Sequence, residues 1–142
     1  MKELSRVIYF GFIAILMLSE LLLSNLYSLI WSLDATAEMM KITPSAEAIR
    51  LLILIILGGM AGVGALLSMR SFRSSDAGQA GAIGVTLTTV GMLTYAAYQF
   101  YAATYQLGAM QSMVKGVAVV YALLGIFAWI IGAELRRKSV VD

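Results

Sequence analysis

A chain of 142 residues that is 61% hydrophobic and 13% charged, with a single proline, has too little polar surface to cover a water-soluble globule and must be solvated by lipid. The formal net charge is only +2, so the placement of the ten basic residues matters more than their sum. Cysteine and histidine are both absent, which excludes disulfides, thiolate catalysis, imidazole metal or haem ligation and histidine proton shuttling.

Lys2 and Arg6 precede an apolar run that predicts a helix over 5–33. At about 1.5 Å per residue such a helix reaches roughly 40 Å, enough to cross a hydrocarbon core of about 30 Å with some tilt. Ala35-Thr36-Ala37 resembles a cleavage site behind a secretory signal, but the apolar core is about twice as long as a signal's, so the segment is expected to persist as a span. Glu20 falls near its midpoint. Ser24, Tyr27 and Trp31 follow on the same face at helical spacing, and Asn25, Ser28 and Ser32 form a second polar strip. A helix with such faces is not expected to be wrapped by lipid all round.

Asp34 to Thr43 reads as a short polar connection, after which Thr43-Pro44 supplies an N-cap and first residue for a helix over 44–69. Glu47 and Arg50 lie one turn apart at its start, a structural pair expected at headgroup level. Further along come Gly58, Gly59, Gly62 and Gly64, in which Gly58 and Gly62 have the G-x-x-x-G spacing that lets two helices approach closely. Arg70 to Ser75 predicts a basic, serine-rich turn, and Asp76 with Gln79 a capping box opening a third helix over 77–107. That helix carries a seam at alternating spacings of four and three: Gly84, Thr88, Gly91, Tyr95, Tyr98, Ala102 and Tyr105. Small residues in its first half admit a neighbouring backbone, and tyrosines in its second half fill space and offer hydroxyls. Gly108 suits a C-terminal cap, and Ser112 can cap a fourth helix over 113–135, closed by Glu134 and the basic group Arg136, Arg137 and Lys138.

The expected fold is an all-α integral membrane protein, a single four-transmembrane-helix bundle over 1–142 running up-down-up-down, because short connections favour antiparallel neighbours. Lys2, Arg6, Arg70, Arg73, Arg136, Arg137 and Lys138 fall on one side of such a bundle, and Lys41, Arg50 and Lys115 on the other. Seven against three places both termini in the cytoplasm and the chain in the cell membrane.

Among candidate sites Glu20 is the sharpest, since an ionised carboxylate at mid-bilayer costs at least about 2.5 kcal/mol on insertion scales. It is expected to be protonated or paired, either as a proton or cation site or as an assembly contact, with Thr88 and Tyr95 of the third helix as its intramolecular partners. Gly58, Gly62, Gly84 and Gly91 are the expected helix-packing positions, and Tyr98, Tyr105 and Tyr121 offer faces to lipid or quinone. Met39, Met40, Met110 and Met113 converge on the outer side, but without cysteine or histidine to complete a copper site they read as core filler. No metal site, cofactor or catalytic residue is expected, and no nucleotide-binding or hydrolase motif occurs.

Two functions fit these features. In one, the chain is a non-catalytic accessory subunit of a larger membrane complex, such as a respiratory or other energy-converting one, docked through its glycine-rich and tyrosine-rich faces. In the other, it is a homo-oligomeric, proton-coupled small transporter or channel that uses Glu20. Expected partners are the lipid bilayer and either other integral membrane subunits or further copies of the chain, with no nucleic acid.

Overall fold

Long apolar runs with few helix breakers close their backbone hydrogen bonds within themselves, because hydrocarbon offers no partner to a free N–H or C=O. A computed structural model of the chain describes residues 2–40, 43–74, 78–103 and 109–133. In chain order its elements are α1 (Lys2–Ser19), a π-helical segment (Glu20–Leu26), α2 (Tyr27–Trp31), α3 (Leu33–Met40), α4 (Pro44–Ser74), α5 (Gly78–Ala103) and α6 (Ala109–Ile131). No strand occurs among the described residues.

Among the described residues three stretches are long and apolar enough to cross a membrane: Leu4–Trp31 with 28 residues, Pro44–Phe72 with 29 and Ser112–Ile131 with 20. Four were expected. The fourth expected span falls on α5, which has 26 residues and matches the others in length, and glycine, threonine and tyrosine dilute its apolar character. Its position accounts for that composition. Val85, Thr88, Met92 and Tyr95 have no exposed surface, and α5 touches both α4 and α6, so small and hydroxyl-bearing residues serve it better than lipid-facing ones.

Contact partners run in opposite order along successive long helices. Gly11 faces Met69, Gly62 faces Leu18 and Gly59 faces Leu21 between α1 and α4, extended by the π-helical segment. Between α4 and α5, Gly64 meets Thr88, Gly84 meets Ser68 and Gly91 meets Ala61; between α5 and α6, Gly125 meets Met92 and Gly132 meets Val85. Phe10, Ile13, Met17, Leu54, Met92, Tyr95 and Tyr121 belong to one continuous core to which α1, α4, α5 and α6 contribute. The Tyr9 hydroxyl ties α1 to α6 by donating to the Leu124 carbonyl at 2.6 Å.

Several boundaries differ from expectation. The Thr43 cap is present, with the Ala46 N–H donating to Thr43 Oγ1 at 3.2 Å. Most of the stretch before it, expected as a polar connection, is the helix α3. Asp34 in its first turn complements the helix dipole, and Ala37, 1% exposed, anchors its inner side. The turn expected from Arg70 is helical through Ser74. Packing holds that end. Ser71 and Phe72 are buried, the Phe72 ring lies 5.8 Å from Phe10, and the Arg6 guanidinium sits 5.7 Å over Phe72. Helix α6 starts at Ala109, so Ser112 lies within its first turn and does not cap it. Asp76, Tyr105, Gly108 and the basic group Arg136, Arg137 and Lys138 lie outside the described residues, as do the side chains of Gln79, Met39, Met40 and Met110.

The Glu47 and Arg50 pair is more buried than a headgroup position suggests. Arg50 Nη2 donates to Glu47 Oε1 at 2.6 Å and Nε to Oε2 at 3.1 Å, a two-pronged contact in which the Glu47 side chain has no exposed surface and Arg50 keeps 15%.

Candidate functional site

At the middle of the first span the backbone leaves the α-helix for seven residues, Glu20–Leu26. The change rearranges side chains. At about 100° per residue, positions five apart on an α-helix point about 140° away from each other. A π-helix closes its bonds from i to i+5 and sets such residues nearly one above the other. Glu20 and Asn25 are five apart, so the π-helical segment merges two polar strips that α-helical geometry would keep separate.

Both side chains then reach one hydroxyl on α5. The Asn25 amide donates to Tyr95 Oη at 3.1 Å, and Tyr95 O–H donates to Glu20 Oε2 at 3.1 Å. The direction is fixed by chemistry. An amide N–H can only give, so the tyrosine oxygen accepts from Asn25 and its single proton goes to the carboxyl. Asn25 is 5% exposed and Tyr95 fully buried, whereas Glu20 is only half-buried and keeps an edge on the outside of the chain. The Tyr121 hydroxyl of α6 faces the same carboxyl, and its ring lies 5.7 Å from that of Tyr95 at a 48° tilt.

Gly58 seats this arrangement. A Cβ there would stand 3.4 Å from the Tyr95 ring and 3.6 Å from the Met17 methyl, so the bare backbone forms a shelf on which the ring lies. Gly62 faces the Leu18 side chain, 3.1 Å from where a Cβ would be. Backbone-to-backbone approach falls elsewhere, at Gly64, Gly84 and Gly91, where a Cβ would meet main-chain atoms at 2.6 to 2.9 Å. Thr88, expected beside Glu20, donates instead to the Gly84 carbonyl of its own helix at 2.8 Å. It lies about two turns from Tyr95 and packs near Gly64, too far along α5 to share the carboxyl. Tyr98 is half-buried against the core, and Tyr121 points inward, so neither stands as an open ring face toward lipid. Tyr105 lies outside the described residues.

A charge-assisted hydrogen bond contributes about 1.5–3 kcal/mol, comparable to the cost of at least about 2.5 kcal/mol for a carboxylate at mid-bilayer. Tyr95 alone therefore offsets much of that cost, and Asn25 fixes the tyrosine's proton in the useful direction. The Glu20 carboxyl sits beside the hydroxyls of two tyrosines, one of which donates to it. Tyr95→Phe strips the Asn25 amide and Glu20 Oε2 of their shared partner and is expected to lower stability by about 1–3 kcal/mol. Denaturant titration in detergent micelles measures this; an unchanged midpoint would mean that the contact does not contribute.

Comparison of the chain with protein-family models, with curated proteins and with solved structures finds no match in any of the three. What is defined is a class: a protein that is helical throughout its described residues, three of whose helical stretches among those residues are long and apolar enough to span a membrane.

Proposed function

We propose that the chain is a non-catalytic subunit of a larger integral membrane assembly. Four spans, formed by α1 with its π-helical and α2 extensions, α4, α5 and α6, run up-down-up-down with both termini on the cytoplasmic side of the cell membrane. The basic residues support that orientation, and the opposed contact order of successive helices supports the alternation.

One observation carries the subunit assignment. Ser19 and Ser24 are exposed in the middle of an apolar span, neither hydroxyl has a side-chain partner among the described residues, and the half-buried Glu20 lies between them in sequence. Lipid cannot satisfy these groups, whereas another helix can. Each interhelical hydrogen bond contributes only about 0.6 kcal/mol on average, so three adjacent polar groups make a better docking patch than one. The glycine seams do not serve this purpose, because Gly58, Gly62, Gly64, Gly84 and Gly91 all face other parts of the same chain.

The natural absence of cysteine makes the test clean. Ser24→Cys, introduced alone and alkylated in native membranes with a short thiol-reactive photo-cross-linker, is expected on illumination to join the chain to another membrane protein that mass spectrometry identifies. Free labelling of that cysteine by an apolar maleimide, with the chain migrating alone in mild detergent, would reject the assignment.

The relay from Asn25 through Tyr95 to Glu20 favours a second reading, a homo-oligomeric proton-coupled transporter. Glu20→Gln separates the two. A subunit keeps its assembly and the activity of its complex, because the amide still pairs with Tyr95. A transporter assembles normally and loses pH-dependent flux in proteoliposomes.

A further inference from the structure

Between α5 and α6 a groove of about 330 Å³ opens on the outside of the chain, walled by Leu93, Ala96, Ala97, Phe100, Ala118 and Ala122. Every wall is apolar, and the alanines make it a narrow crease. Its volume sits at the lower end of the range for small-ligand sites, about 300–1,000 Å³. A helix about 10 Å across does not fit such a crease, but an extended hydrocarbon chain does.

One end of the groove is charged. The Lys115 ammonium stands 5.2 Å over the ring of Phe100, itself a wall residue. Lys115 precedes Ala118 by one turn on α6, and Phe100 follows Ala96 by one turn on α5, so both lie toward the same mouth. Lys115 is also in the first turn of the apolar stretch Ser112–Ile131, at the depth where a membrane-spanning helix meets headgroups. No carboxylate lies within ion-pair distance of it among the described residues. Lys115 is half-buried, and an ammonium over the ring of a wall residue brings three N–H donors that a phosphate can accept.

We propose that this groove is a binding site for an anionic phospholipid, one acyl chain lying in the alanine crease and the headgroup phosphate held by Lys115. A basic residue near an anionic membrane surface contributes about 1 kcal/mol, or about fivefold in occupancy. The site is separate from the Glu20 cluster and requires only that α5 and α6 lie in a membrane.

The full chain is to be reconstituted in nanodiscs of mixed phosphatidylglycerol and phosphatidylcholine, and the lipids retained on release counted by native mass spectrometry. The wild-type chain is expected to retain phosphatidylglycerol about fivefold over phosphatidylcholine. Lys115→Gln should abolish that preference while retaining total lipid, and Ala97→Leu, which fills the crease from its exposed side, should reduce retention of both. Equal retention of the two lipids by the wild-type chain overturns the proposal without recourse to any variant, as does a Lys115→Gln chain that keeps the preference. Disulfide formation between two Ala97→Cys chains in the same nanodisc would show that a second copy covers the groove, and would also overturn it.

Discussion

Arg50→Leu is expected to lower the unfolding free energy by about 3 kcal/mol, among the largest effects of any single side-chain truncation in this chain. The reason is asymmetric. Glu47 has no exposed surface and both of its oxygens are held by Arg50, at 2.6 and 3.1 Å. Taking away one member of a buried pair leaves an uncompensated charge and typically costs about 3–5 kcal/mol. Arg50 retains 15% exposure, which lets water reach part of the site and argues for the lower end of that range. Replacing both residues is a different experiment. In Glu47→Leu/Arg50→Leu no charge is stranded, and most of the loss should return, because a buried pair exchanged for well-packed apolar groups is often neutral. Arg50→Lys keeps the charge but loses the planar fork that binds both oxygens, and should fall in between. Denaturant titrations of the three variants in one detergent test the order. A single Arg50→Leu variant as stable as the double would mean that the pair is solvated and contributes little.

The sequence reveals some of these features and conceals others for definite physical reasons. Apolar runs are plain because hydrocarbon demands them continuously over a whole span, and the start of α4 is plain because Thr43-Pro44 is a local signal whose cap needs no tertiary information. The Glu20–Tyr95 contact follows from depth: two polar groups at similar height in neighbouring helices have few other partners. Asn25 was out of reach, since its place beside Glu20 depends on a shift of the backbone bonds from i−4 to i−5 that no residue in ELLLSNL announces. Thr88 misleads because a buried threonine can satisfy itself on the carbonyl four residues back, and composition does not say which acceptor it takes. The same limit applies to the ends of α4. The stretch after Arg70 looks like a turn by composition, yet Phe72 stacked near Phe10 and under Arg6 keeps it helical. G-x-x-x-G spacing reports which residues share a face but not the register against the partner helix. Gly58 and Gly62 therefore turn out to meet side chains, while Gly64, off that motif, meets a backbone.

Substitution at Gly64 or Gly84 should separate α4 from α5 and cost more than substitution at any position of the G-x-x-x-G motif. A Cβ on Gly64 would lie 2.6 Å from the Thr88 nitrogen and 2.8 Å from the Gly84 oxygen, and one on Gly84 would lie 2.9 Å from the Gly64 oxygen and the Ser68 nitrogen. These are main-chain atoms of a helix and have no rotamer in which to escape. The two glycines face each other, so a side chain on either pushes the same pair of backbones apart. Overpacking a core typically costs about 1–3 kcal/mol when side chains can adjust, and here they cannot, so Gly64→Leu and Gly84→Leu are each expected to exceed about 3 kcal/mol. Gly91→Leu should behave alike, because its Cβ would strike the Ala61 backbone at 2.7 Å. Gly62→Ala asks only the Leu18 side chain to yield from 3.1 Å and should cost about 1 kcal/mol or less. At the other extreme, a Cβ on Gly116 meets nothing within 4 Å, and Gly116→Ala should be neutral or gain up to about 1 kcal/mol of helix propensity. The effect also reaches the Glu20 cluster, since Tyr95 lies one turn beyond Gly91 on the helix being displaced. The same unfolding titrations establish the ranking of Gly64, Gly84 and Gly91 over Gly62 over Gly116. A Gly64→Leu variant as stable as Gly116→Ala would mean that α4 and α5 do not touch along this seam.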